Sequence, residues 1–263
     1  MTVRVERPAP HVAELIMDRP EALNALSTDQ ASRIRDAVRE LGADRQISVV
    51  LLCSALSQAF CVGADLKERG RLDDDQLRTQ REVFVDTFGA LLGIEVPTVA
   101  AVNGYALGGG CELALSCDLI VASEDAIFGL PEVGLGLVPG GGGTQLLSRR
   151  VGLNRALDLI VTGRRVAAAE AVDLGLADRR APGGSARTAA RQLADGIAAH
   201  SPVGLRAAKR AVRKGFETDL AAGLELEDQA WREAAFSADR REGVAAFNDR
   251  RAPHWPSWSD VDD

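Results

Sequence analysis

The sequence predicts an α/β fold: a core of largely parallel strands followed by a mostly helical C-terminal third. Three observations predict it. Short apolar runs rich in β-branched residues recur at Ile47–Leu52, Val96–Val102 and Leu119–Ala122, as expected of strands buried on both faces. Segments of helical period separate these runs over the first half of the chain. From about Thr144 onward, Ala-rich helical segments dominate.

Val3 and Val5 alternate with polar residues, and Val12 to Met17 reads as a second strand of a hairpin. Ser27 and Gln30 form a capping-box pattern that opens a helix through about Leu41, with Ile34, Val38 and Leu41 on one face. The run Ile47–Leu52 gives the first buried strand. Asp73 to Leu92 reads as a helix, Val96–Val102 as the next strand, Cys111 to Ser116 as a short helix after a glycine break, and Leu119–Ala122 as a third buried strand. Helices follow over Leu153–Val161, Ala167–Leu174, Ser185–Ala199, Pro202–Phe216, Asp219–Ala235 and Ala238–Arg250. The stretch Ala181–Ser185 (APGGS) is the best linker candidate.

With 263 residues, 46% hydrophobic and 26% charged, the composition is that of an ordinary globular protein. No apolar run is long enough to span a bilayer. The N-terminus lacks the apolar core of a secretory signal, so a cytoplasmic location is expected. A net charge of −7 argues against nucleic-acid binding, which needs clustered Lys and Arg. Cys53, Cys61, Cys111 and Cys117 form no CxxC pair and lie far in sequence from His11, His200 and His254. A metal site is therefore not expected, and the cysteines read as small buried apolar residues.

Three segments stand out: Ala59–Lys67 (AFCVGADLK), Asn103–Ala114 (NGYALGGGCELA), and Phe128–Gly134 (FGLPEVG) running into Pro139–Thr144 (PGGGGT). Three successive glycines ahead of a helix leave bare backbone and free N–H groups, a place to stabilise a developing negative oxygen. Glu112 sits just inside that helix. Taken alone, tight packing and dipole complementation are the favoured explanation of these residues. Glu132, after Pro131 in an apolar stretch, is a carboxylate expensive to bury unless paired or used. Two such glutamates could converge as a general acid/base pair. The glycine loops fail the nucleotide motifs: no Lys follows Gly140–Gly143, and no G-x-G-x-x-G opens a helix after the first strand.

Together these segments closely resemble the enoyl-CoA hydratase/isomerase, or crotonase, family. Val102–Asp118 is similar to its signature almost residue for residue. Gly63–Lys67 resembles its first oxyanion segment, and Pro131-Glu132 with Pro139–Gln145 its second catalytic segment. The likeness runs in register from Asn24-Ala25-Leu26 to Asp239–Phe247. It implies a spiral of ββα turns over residues 1–195 and a helical C-terminal trimerisation module over 196–263. A homo-oligomer, a trimer or a hexamer of two trimers, is implied with it.

The resemblance also implies roles. The N–H groups of Ala64 and Gly109 would form an oxyanion hole for a thioester carbonyl. Glu112 and Glu132 would hold water, one accepting its proton and one protonating C2. Ala64, Asp65, Leu66, Lys67, Gly109, Ala25 and Leu26 would line the acyl-CoA path. No metal or redox cofactor is implied, coenzyme A being part of the substrate.

Both hydratase-type glutamates are present, which favours hydration of a trans-2-enoyl-CoA in fatty-acid or related acyl-CoA catabolism. Another crotonase reaction, such as double-bond isomerisation, and a non-catalytic acyl-CoA binder are the alternatives. Leu130 departs from the Gln that many hydratases carry before Pro-Glu. Acyl selectivity is expected to lie between about Arg69 and Gln80 and in the C-terminal helices. Arg206, Lys209, Arg210, Arg213 and Lys214 fall on one helix face. A solvated face is the expectation there, and contact with the CoA phosphates the sharper alternative.

Overall fold

The computed structural model describes residues 2–258. Strands β1 (Val3–Ala9) and β2 (Val12–Met17) form the expected antiparallel hairpin. Helix α1 (Thr28–Ala43) is capped by Ser27, whose hydroxyl accepts the N–H of Gln30 at 3.2 Å. The expected capping box is only half made, because the buried Gln30 amide has no partner among the described residues. A complete box closes instead at Asp73 and Gln76.

Each following turn supplies one strand to a large sheet, one to a small sheet, and then helix. The first is β3 (Val49–Ser54), β4 (Ala59–Cys61), α2 (Leu66–Arg69) and α3 (Asp74–Gly93). The second is β5 (Thr98–Val102), β6 (Tyr105–Leu107) and α4 (Gly109–Ser116). The third is β7 (Leu119–Ser123), β8 (Ile127–Gly129), α5 (Gly143–Val151) and α6 (Leu153–Thr162). After β9 (Val166–Ala167), α7 (Ala168–Leu174) and β10 (Arg179–Ala181) come the terminal helices α8 (Ala186–Ala198), α9 (Pro202–Gly215), α10 (Leu220–Ala235) and α11 (Ala238–Asp249).

The large sheet has the order β1-β2-β3-β5-β7-β10, parallel from β2 onward. The small sheet has the order β4-β6-β8-β9, with only β9 antiparallel. This spiral of ββα turns is the predicted α/β class. The strands of the small sheet are implied only by the resemblance, because strands of two or three residues carry no readable period of their own.

Between the sheets and helices lies the main core, centred on Phe60, Phe128, Leu52, Leu113 and Ile34. A second apolar layer covers the other face of the large sheet. There α8 presents Ala186, Ala190, Ala194 and Ala198 at four-residue spacing, small side chains that let helix and sheet approach closely. Buried Glu14 on β2 anchors the same helix through Arg187 and Arg191. Burial disfavours its charge, but the two guanidinium groups hold its pKa below the ordinary carboxylate value. The APGGS stretch is an ordered connection between β10 and α8, in which Gly184 N–H donates to Asp125.

On the basic face of α9, Arg206, Lys209 and Arg213 are engaged by the body of the protein, Arg210 pairs with Glu233, and Lys214 is exposed. Lys209 donates to the carbonyl of Val96 at 2.8 Å and pairs with Asp118 at 2.7 Å, which Arg213 also engages at 2.7 Å. Arg206 reaches the carbonyls of Asp44 and Ile47. These cations dock α9 onto the ends of the sheet strands. The tail also returns to the body. The Trp258 ring stacks on His11 with centroids 3.6 Å apart, and its carbonyl accepts from Gln46. All four cysteines are buried and free. No helix among the described residues is long and apolar enough to cross a membrane.

Candidate active site

The three ββα turns deliver their second strands to one place. A bulge in β4 between Ala59 and Cys61 re-aims the chain into Val62-Gly63-Ala64. Leu26 makes an isolated parallel bridge to Ala64, its N–H donating to Gly63 O and its C=O accepting from Asp65 N–H. That pattern uses the neighbours of Ala64 and leaves the Ala64 N–H pointing away from Leu26. Gly109 is the first residue of α4, so its N–H precedes the helix ladder and is free to meet a ligand.

The two segments can approach only without side chains. Gly63 has φ +99°, and a Cβ there would lie 2.9 Å from Leu107 O and 3.4 Å from Gly109 N. A Cβ on Gly110 would lie 2.0 Å from Cys61 O, so α4 is seated directly against β4. Two free main-chain donors thereby sit side by side at the mouth of a helix, the arrangement that receives an oxyanion.

Glu112 lies one helical turn into α4 and is 3% exposed. Its Oε1 accepts the N–H of Gly141 at 2.6 Å and of Gly143 at 2.8 Å, which fixes the carboxyl. Burial raises its pKa; the two amide bonds and the charge of Arg81 oppose the rise. Glu132 begins the 3-10 turn Glu132–Leu135 that follows β8. Its Oε1 stands 3.1 Å from where a Gly108 Cβ would be, and its buried Oε2 has no partner among the described residues. Burial pushes Glu132 up to about 7, with the negative charge of Glu112 adding to the rise. Burial raises the pKa of both carboxyl groups; they differ in that two main-chain amides oppose the rise at Glu112, whereas no such donor meets the Oε2 of Glu132 among the described residues.

Ala64, Gly109, Glu112 and Glu132 all line one cavity of about 1150 Å³. Leu66 lines it too. Leu26 and Ala25 are buried beneath it, with the Leu26 Cδ1 3.4 Å from a Gly109 Cβ position. Asp65 is committed elsewhere, capping α2 through the N–H groups of Lys67 and Glu68 and pairing with Arg19 at 2.7 Å. Lys67 is exposed on α2. Leu130 is buried, its Cδ1 3.1 Å from a Gly143 Cβ position, so it packs against the loop that holds Glu112.

Several wall residues carried no signal in the sequence. Phe84 and Phe88 of α3 form an apolar wall, and a Cβ on Gly141 would lie 2.5 Å from the Phe88 ring. Arg69 and Arg81 also face the cavity. Loop residues were expected to face the cavity between Arg69 and Gln80; the lining residues there, Arg69, Asp74 and Leu77, lie on α2 and α3, and the lining continues along α3 to Phe88. Only the helical period of α3 pointed to these residues, and it does not reveal which face meets a ligand. Among the described residues no cluster of His, Cys, Asp and Glu could hold a metal.

Comparisons with known proteins give the family. The enoyl-CoA hydratase/isomerase family model matches residues 8–258. A Bacillus subtilis protein, YngF, provisionally named an enoyl-CoA hydratase/isomerase, is 43% identical over 92% of this chain and 93% of its own. The mouse mitochondrial enoyl-CoA hydratase domain-containing protein 2 is 41% identical over 92% of this chain and 83% of its own. The crystal structure of enoyl-CoA hydratase from Bacillus anthracis superposes with a TM-score of 0.95 at 37% identity, covering 98% of this chain and all of that one. With its fold, its paired amides and its two glutamates, the chain belongs to the enoyl-CoA hydratase/isomerase family.

Proposed function

We propose that the protein is an enoyl-CoA hydratase, adding water across the 2,3 double bond of a trans-2-enoyl-CoA to give a 3-hydroxyacyl-CoA. The observation that carries the reading is the pairing of two unlike carboxyl groups, Glu112 and Glu132, in one cavity with two free amides.

The amides of Ala64 and Gly109 receive the thioester oxygen as attack at C3 drives charge onto it. Each such donor contributes roughly 3 kcal/mol to the transition state. Glu112, oriented by Gly141 and Gly143, accepts a proton from water as it attacks C3. Glu132, desolvated and readily protonated, donates a proton to C2. Neither step uses a metal or redox cofactor.

Oligomerisation belongs to the same reading. The terminal helices leave the large apolar side chains Phe216, Leu220, Phe236 and Phe247 each more than two-thirds exposed, which supports burial against another copy of the chain. We assign residues 196–263 to a self-association module, in a trimer or a pair of trimers.

The test is incubation with crotonyl-CoA, following loss of the conjugated absorbance and formation of 3-hydroxybutyryl-CoA. Migration of a 3-enoyl double bond without hydration would transfer the assignment to an isomerase.

A further inference from the structure

We propose that the acyl end of the cavity is built for a substrate bearing its own carboxylate, and that Arg69 and Arg81 recognise it. This rests on the hydratase reading and names the class of enoyl-CoA taken: the monothioester of a short unsaturated dicarboxylic acid.

Two cations stand in the cavity without an anionic partner. Arg69, at the end of α2, packs its guanidinium over the Phe84 ring, 5.6 Å from the centroid, and gives its Nε–H to Gln80 at 3.1 Å. It forms no ion pair among the described residues, and its terminal nitrogens bond to nothing there. The neighbouring Glu68 is already taken, accepting from Thr28 N–H and the Gln80 amide. Arg81, on α3, donates to the carbonyl of Gly140 at 2.6 Å and likewise has no carboxylate partner among the described residues. Asp74 and Glu82 also line the cavity, but neither pairs with these arginines, and Arg78 is engaged by Asp75. Arg69 is partly buried, and a guanidinium so placed without a counter-charge is costly unless a ligand supplies one; Arg81 is exposed at the cavity rim and open to the same ligand. The planar guanidinium fork suits a carboxylate.

Position decides which part of the substrate meets them. With the thioester oxygen on Ala64 and Gly109, coenzyme A leaves in one direction, and C2, C3 and the acyl chain extend toward the glutamates. The Gly140–Gly141 peptide joins Arg81 to that end: its C=O accepts from Arg81 and its N–H donates to Glu112. The base and the cation are therefore separated by a single peptide unit. Phe84 and Phe88, which carry Arg69 and abut Gly141, complete the same wall. A carboxylate one or two carbons beyond C3 falls on this side, away from the coenzyme A phosphates.

The experiment compares pent-2-enedioyl-CoA with its terminal monoamide, which has the same shape and no charge. The ratio of kcat/KM values, acid over amide, is expected to be about tenfold or more in the wild type. It is expected to fall to about one in Arg69→Met and in Arg81→Met, through KM, and to recover partly in Arg69→Lys. A wild-type ratio near one overturns the proposal. So do variants that weaken both thioesters equally, the result if these arginines grip the coenzyme A phosphates or only support the fold. Calorimetric affinities for glutaryl-CoA and its monoamide supply the same ratio without turnover. A binding preference with no hydration defeats the hydratase reading alone; hydration with no preference defeats this one alone.

Discussion

Glu112 is held by Gly143: the amide donates to Oε1 at 2.8 Å, and a Cβ on that glycine would stand 2.9 Å from the same oxygen. The glycine both positions the Glu112 carboxyl and leaves room for it. Gly143→Ala is therefore expected to displace the carboxyl while the chain still folds. A displacement of this kind costs about 10²-fold in kcat. Steady-state kinetics on crotonyl-CoA, with circular dichroism to confirm folding, checks it; an alanine variant at wild-type rate would separate Glu112 from catalysis.

The raised pKa of Glu132 has a consequence for stability. The folded value is about 7 against an ordinary 4.5, so between these pH values the native state holds more protons than the unfolded state. Stability then falls as pH rises through that window and stays lower above it. Glu132→Gln removes the effect. Its melting temperature is expected to match wild type near pH 4.5 and to exceed it at pH 8. An offset of the same size at both pH values would contradict the desolvated carboxyl. Turnover by this variant is expected to drop by about 10² to 10⁴.

Gly63 lets the two oxyanion amides approach each other. Its φ of +99° and the 2.9 Å spacing to Leu107 O leave no place for a methyl group. Gly63→Ala is expected to lower kcat by about 10² to 10³, the loss of a main-chain donor, with a smaller change in KM. Measuring both constants tests this, since a pure KM effect would place the glycine in binding rather than in transition-state stabilisation.

Lys209 and Asp118 form a largely buried ion pair that fastens α9. Burial lowers the Lys209 pKa and the charge of Asp118 opposes it. Lys209→Met leaves Asp118 with the Arg213 ion pair and the hydrogen bonds from Thr98, and is expected to cost about 3 kcal/mol in urea unfolding. The Michaelis constant for acyl-CoA is expected to hold within twofold. A raised KM with unaltered stability would return this face to a ligand-binding role.

The long elements were legible in the sequence because each carries its own period. Val12–Met17, α1, α3 and the six later helices needed no tertiary information. The strands β4, β6 and β8 were invisible, because three residues cannot display alternation, and they form the sheet that aims Ala64, Gly109 and Glu132. Glu112 and Glu132 were legible through glycine-rich surroundings that isolate a carboxylate. Arg69 and Arg81 were not, since their neighbours in space, Phe84 and Gly140, lie on other segments. The basic stripe of α9 looked solvated for the same reason: its acceptors, Asp118 and the Val96 carbonyl, are distant in the chain.

Half of the proposed reactive centre is made of peptide groups rather than side chains, and this separates what would be done from what it would be done to. Point changes cannot delete an N–H unless they introduce proline, so the apparatus that polarises the carbonyl is insulated from most genetic drift. The wall where Arg69, Arg81, Phe84 and Phe88 face the cavity has no such protection. A lineage built on this scaffold can therefore exchange one diet of acyl groups for another, a few codons at a time, with its chemistry left running.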